Sequence, residues 1–178
     1  MSMKTQKEVG IHKSSQDLLG RVLSAWRNKV VLREVKKPLL DIACGDNRIA
    51  FTIPGSFGID IENYGRADII VQNFENIPIK SHGIPCVTIV GSLNYFDDPV
   101  AVLKECHRIL KPGGILVVTM LNPKVGKLWH MFREPWAKFP GFSVKQIFNF
   151  AQVADYKIEL TKRFMIGLNN LFILRKPI

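Results

Sequence analysis

DDPVAVLKECHRILKPGGILVVTM, residues 97–120, reads as one helix followed at once by one buried strand. Asp97 or Asp98 can cap the helix, and Pro99 suits its first turn, where the missing N–H costs nothing. Val100, Val102, Leu103, Cys106, Ile109 and Leu110 recur at helical spacing and supply an apolar face. Lys111-Pro112-Gly113-Gly114 stops the helix, and ILVVTM (115–120) is β-branched and apolar without alternation, as a strand covered on both faces should be. A helix that returns directly into such a strand is the second half of a parallel crossover unit.

Working outward, LLDIA (39–43), SFGIDI (56–61), ADIIVQ (67–72) and CVTIVG (86–91) read as further buried strands. Ahead of them, 15–33 is an amphipathic helix with Leu18, Leu19, Val22, Leu23, Trp26, Val30 and Val31 as its apolar stripe and Arg21, Arg27 and Lys29 between. Beyond residue 120, Ser143 opens a helix over 143–154. YKIELTKRF (156–164) and NLFILRK (170–176) then form an antiparallel hairpin around Gly167-Leu168-Asn169. The order predicts an α/β fold with an open, mostly parallel sheet and a C-terminal antiparallel hairpin. The crossovers are short. Pro54 limits the first crossover helix to about two turns, and neither 62–68 nor 74–85 holds a convincing helix. The N-terminal helix or a second subunit is expected to fill the uncovered face.

The 178 residues suit one compact domain, and 47% hydrophobic content excludes a disordered chain. The expected division is 1–37 as a basic helix, 38–120 as a cofactor-binding core, 121–142 as a lid-like segment, and 143–178 as helix and hairpin. No run of apolar residues is long enough to span a membrane, and the N-terminus lacks the apolar core of a secretory signal. Cys44, Cys86 and Cys106 form no CxxC pair, so neither a disulfide framework nor a structural metal site is expected, and a cytoplasmic location is.

Ligands of open α/β sheets sit beyond the carboxyl ends of the strands, where the topology switches. The residues there are Asp41, Ala43, Cys44 and Gly45 after the first strand, Asp60 and Ile61 after the second, Asn73 and Phe74 after the third, and Gly91 and Ser92 after the fourth. Ala43 and Gly45 let backbone approach a ligand. Asp60, nineteen residues past Asp41, stands where a ribose diol is held. A dinucleotide is excluded on detail: of its three fingerprint glycines only Gly45 is present, and Asp46 would repel a pyrophosphate. A nucleoside without phosphates fits.

LLDIACGDNR (39–48), FGIDIEN (57–63), VQNFENIPI (71–79) and SLNYFDDPVAVLKECHRILKPGGILVVTMLNP (92–123) together resemble the class I S-adenosylmethionine-dependent methyltransferases, over roughly residues 38–125. The resemblance implies a Rossmann-like fold of that type with shortened crossover helices, S-adenosylmethionine as cofactor and S-adenosylhomocysteine as product. It assigns Asp41 to the methionine ammonium and Ala43, Cys44 and Gly45 to the loop under methionine and ribose. Asp60 would take the ribose hydroxyls, with Ile61 on the adenine face. Asn73 would face the adenine amino group, Phe74 would offer its N–H to the ring, and Gly91 would lie near the sulfonium. The first-motif glycines are altered, with Ala43 at the first and Asn47 at the last. Asparagine tolerates a left-handed backbone.

The acceptor is expected near Asn94 and Tyr95, under NPKVGKLWHMFREPWAKFPGF (122–142), where Trp129 and His130 are further candidates. That segment reads as a lid over the acceptor or as a plug over an under-covered sheet. His130 or Tyr95 could serve as base if the acceptor must lose a proton. Nucleic acid is a weaker candidate partner: the tetrad of base-amino methyltransferases is missing, since Gly91-Ser92-Leu93-Asn94 stands in its place. The +10 charge is uneven, with +6 over 1–37, −3 over 38–120 and +7 over 121–178. An acidic cofactor half suits a cationic sulfonium, and basic flanks suit an anionic acceptor. The expected function is methyl transfer to a small anionic or amphipathic acceptor. The alternatives are a non-catalytic S-adenosylmethionine-binding protein or partner subunit, and an RNA methyltransferase.

Overall fold

The computed structural model describes residues 18–64, 66–124 and 141–178. Seven strands form one sheet: β1 (Leu40–Ile42), β2 (Phe57–Asp60), β3 (Ile69–Ile70), β4 (Ile84–Val90), β5 (Leu110–Leu121), β6 (Lys157–Phe164) and β7 (Asn169–Arg175). Their order is β3-β2-β1-β4-β5-β7-β6, parallel through β5, with β7 antiparallel to both β5 and β6. Among the described residues three α-helices accompany it: α1 (Leu18–Val31), α2 (Pro99–Ile109) and α3 (Val144–Val153). This is the Rossmann-like arrangement expected.

Alternation along β5 and β7 assigns the two faces. Leu116, Val118, Met120, Phe172 and Leu174 pack with Leu103, Cys106 and Ile109 of α2 and Ile147 and Ala151 of α3. Ile115, Val117, Leu171 and Ile173 point the other way, onto Val31, Leu39, Ile49, Ala50 and Ile53. The local signals act as expected. The Asp98 carboxylate accepts from the N–H groups of Val100 and Ala101, at 2.9 and 3.0 Å. Ser143 and Gln146 close a reciprocal cap on α3.

Three expectations are corrected. The first crossover carries only one 3-10 turn, Ala50–Thr52, rather than two helical turns, because Pro54-Gly55 follows at once. Its Ile49, Ala50 and Ile53 are nonetheless buried, and Val31 of α1 joins them, so the N-terminal helix does cover part of this face. Second, β3 is not a buried strand. It has two residues at the sheet edge, and Ile69 and Ile70 are 36% and 48% exposed, since no crossover helix lies over them. Third, Lys111-Pro112-Gly113-Gly114 is the bulged start of β5 rather than a turn before it: α2 ends at Ile109 and Leu110 already pairs with Ile84.

Between β3 and β4 a side-chain latch does the work of a helix. Glu105 accepts from the N–H of Ile77 at 2.7 Å and from Nε and Nη2 of Arg108, both at 2.7 Å. Arg108 in turn donates to the carbonyls of Ile77 and Ile79 and to Ser81 Oγ. The latch keeps Val71, Phe74 and Ile77 buried in the sheet core.

Candidate functional site

Strand β1 lies between β2 and β4, and the carboxyl ends of all three meet where successive crossovers diverge. Asp41 is 3% exposed there. Its Oδ1 accepts from Thr88 Oγ1 at 2.6 Å, and burial pushes the carboxyl up to about 7. Asp60 closes β2. Its Oδ2 accepts from the N–H of Gly45 at 2.8 Å, and Oδ1 accepts from Ile61 and Glu62, so one of about four acceptor positions remains for a hydroxyl. Burial raises this carboxyl too, against the pull of those three N–H groups.

The loop from Ala43 to Asn47 alternates through the left-handed region, with φ of 54° at Ala43, 53° at Gly45 and 51° at Asn47. A side chain added at Gly45 would meet open space, so this backbone is accessible from the cleft. Its N–H groups are committed inward: Cys44 to Ile59 O, Gly45 to Asp60, and Asn47 to Cys44 O. Asn47 is 1% exposed and is a pin rather than a glycine substitute. Its Nδ2 donates to Arg66 O at 2.9 Å and to Asp68 Oδ2 at 2.8 Å, and Asp68 also accepts from the N–H of Gly58. The pin ties loop, β2 and β3 together where a helix is missing. Cys44 is half-buried, and burial with the nearby carboxylates raises its thiol far above the usual range, so it is inert.

Gly91 ends β4 at φ 72°, its N–H donating to Thr119 O. Arg27 of α1 lies directly on it: a Cβ at Gly91 would fall 2.5 Å from Arg27 Nη1. Arg27 Nε is buried without a hydrogen-bond partner, and so are the hydroxyls of Ser92 and Thr119 beside it. The guanidinium also interacts electrostatically with Asp41 and Tyr95. Asn94 and Tyr95 follow in a 3-10 turn, both half-buried, and burial pushes the Tyr95 hydroxyl up, which makes it a proton holder rather than a base at neutral pH.

The strand ends thus bring together Asp41, Ala43, Cys44, Gly45, Asp60, Ile61 and Gly91. Asn73 is turned elsewhere: it is exposed, and its Oδ1 accepts from the N–H groups of Glu75 and Asn76. The Phe74 side chain is in the core against Phe96, with ring centroids 5.2 Å apart, leaving only its backbone for the cleft. Trp129 and His130 lie outside the described residues. Sequence reasoning missed Thr88, Asp68 and above all Arg27. The apolar stripe was misplaced: Leu18, Leu19, Val22 and Trp26 are exposed, while Val31 is buried and Leu23 and Val30 partly so. Leu23, Arg27 and Val31 are four apart and share the inward face, which is the spacing that could have revealed the arginine.

Residues 40–118 match the family described as "Methyltransferase domain". A demethylmenaquinone methyltransferase of Thermotoga maritima is 28% identical over 153 residues, 70% of this chain and 67% of that protein. A ubiquinone biosynthesis O-methyltransferase of Xanthomonas oryzae pv. oryzae is 35% identical over 63 residues, 35% of this chain and 26% of that protein. The chain therefore matches only part of the length of either. Among solved structures, one described as a SAM-dependent methyltransferase from Thermotoga maritima has a TM-score of 0.74 at 18% identity, covering 93% of this chain and 95% of that one. The donor set fits such a cofactor: two buried carboxylates suited to an ammonium and a ribose, and a loop accessible from the cleft.

Proposed function

We propose that this member of the class I S-adenosylmethionine-dependent methyltransferases transfers a methyl group to a small amphipathic acceptor, a polar ring carrying an apolar portion. The observation that carries the cofactor half is the pair Asp41 and Asp60, buried at adjacent strand ends around the accessible loop 43–47. S-adenosylmethionine supplies, when bound, a methyl group activated on a sulfonium. Asp41 faces the ammonium, Asp60 the ribose, and the Gly91 backbone the reacting end. Methyl transfer by in-line displacement needs chiefly approach and orientation. Tyr95, kept protonated, orients the acceptor as a hydrogen-bond donor. The acceptor class rests on two supports: the relatives' names concern quinone ring precursors, and α1 leaves Leu19, Val22 and Trp26 exposed on the helix that reaches the cleft.

The test is calorimetry with S-adenosylhomocysteine, followed by methyl transfer from labelled S-adenosylmethionine to demethylated quinone precursors. Binding that weakens about tenfold or more in Asp60→Asn, with the melting temperature preserved, is the expected result. No binding by the wild-type chain overturns the cofactor reading. Binding without transfer to any quinone precursor overturns the acceptor class.

A further inference from the structure

Helix α1 is apolar on two sides. Leu23, Val30 and Val31 face the sheet, where they pack with Leu39, Ile49 and Ala50. Leu18, Val22 and Trp26, four residues apart, form a second stripe with Leu19 and Ala25 beside them, and this one points outward. Leu18, Leu19, Val22 and Trp26 are 79%, 47%, 55% and 43% exposed. Such a stripe, on a helix already seated by its other side, calls for a partner.

The charges around the stripe define that partner's chemistry. Arg21, three residues after Leu18, and Lys29, three after Trp26, border it and are exposed, and Arg33, Lys36 and Lys37 follow as further exposed cations. Over 18–38 the one carboxylate is Glu34, half-buried and paired with Lys162 at 3.6 Å. Aliphatic and indole side chains bordered by cations suit the boundary between acyl chains and anionic headgroups. A second copy of this chain fits poorly. Two-fold pairing of the stripe, with the helices antiparallel about its centre, would set Arg21 against the partner subunit's Lys29, like charge on like.

We propose that α1 docks on an anionic lipid surface, with Leu18, Leu19, Val22 and Trp26 among the acyl chains and Arg21 and Lys29 at the phosphates. The contact is peripheral, since no helix among the described residues is long and apolar enough to cross a bilayer. The same helix carries Arg27, whose guanidinium lies on Gly91 at the end of β4. A docked α1 therefore holds the cleft within roughly 10 Å, one helix diameter, of the bilayer. An amphipathic acceptor then enters from the membrane rather than from water. That consequence alone rests on the acceptor reading; the docking itself needs neither cofactor nor acceptor.

The test is flotation of the full chain, without cofactor, on vesicles of equal parts phosphatidylglycerol and phosphatidylcholine. Wild type should float with them, and about tenfold less on phosphatidylcholine alone or in high salt. One basic side chain at an anionic surface is worth roughly fivefold in binding, so the charge reversal Lys29→Glu should lose about tenfold or more. The double variant Val22→Ser with Trp26→Ser should lose at least as much, with the melting temperature preserved because both side chains are exposed. Helix α3 packs on the other face of the sheet, and its exposed Lys145 and Val153 supply matched controls. Lys145→Glu and Val153→Ser should float within about twofold of wild type. Absence of binding to the anionic vesicles overturns the proposal. So do equal losses from the α3 controls, which would make any binding a matter of the overall +10 charge. A lipid-free dimer that Val22→Ser with Trp26→Ser dissociates would make a second copy the occupant, and overturns it too. Flotation uses no cofactor and calorimetry with S-adenosylhomocysteine uses no lipid, so failure of docking and failure of the cofactor reading show in separate measurements.

Discussion

Asp41→Asn should make the free protein more stable while it weakens the site. Asp41 is 3% exposed, and its carboxyl stands at about 7 instead of 3.8. Burial is the main cause; Asp60 on β2 pushes the same way, while the Thr88 hydroxyl on β4 and Arg27 on α1 pull against it. Between those two pH values the folded chain holds a proton that the unfolded chain has released, so stability falls as pH rises through the window and levels off above it. At 1.36 kcal/mol per pH unit, the interval amounts to about 4 kcal/mol at pH 8 and less than half of that at pH 5. Asparagine keeps the shape and still accepts from Thr88, but never ionises. In a chain of 178 residues, about 4 kcal/mol is worth roughly 10 °C in Tm. Thermal melts of both proteins at pH 8 and pH 5 measure it: the variant should melt well above wild type at pH 8, with the gap more than halved at pH 5. Its affinity for S-adenosylhomocysteine should drop, and only wild type should lose affinity as pH falls below 7, since an ammonium needs the ionised carboxylate. A Tm gap equal at the two pH values would refute the reasoning, because Asp41 would not be titrating between them.

Two further substitutions test the devices that replace missing helices. Asn47→Gly restores a family glycine and relieves a φ of 51°, yet it removes the donor to Arg66 O and Asp68; chemical denaturation should show a net loss of about 1–2 kcal/mol, and a stabilised variant would deny the pin. Glu105→Ala strands the Ile77 N–H and frees Arg108, so it should cost about 2–3 kcal/mol and raise hydrogen exchange over 71–83; unchanged exchange there would deny the latch.

Where a signal was local, the sequence was readable. Asp98-Pro99 and Ser143 announce helix starts because a cap involves only neighbouring backbone, and α2 with β5 follows from one contiguous stretch. The ends of β1, β2 and β4 were legible because β1 pairs with both others, and topology then puts their following residues together. What escaped depends on neighbours remote in the chain. ADIIVQ has the composition of a buried strand, yet burial requires something to lie over it, and Ile69 and Ile70 have no such cover. Asn73 looked available to adenine until its own turn claimed its oxygen. Arg27 was placed only between the apolar positions because hydrophobicity defined the stripe of α1, whereas a charged side chain facing inward is recognisable only once a cleft exists to receive it.

The brevity of β3 has a consequence for how the molecule behaves in a crowd. An edge strand offers unpaired N–H and C=O groups to other chains, and two adjacent exposed isoleucines would make such a template sticky. With only Ile69 and Ile70 extended, that edge is too short to nucleate growth of a sheet from copy to copy. Asp68, held in the pin by Asn47 and Gly58, stands directly in front of it as a gatekeeping charge. The loss of a crossover helix, which bared the side chains of this edge strand, is thus met by trimming the strand itself to two residues.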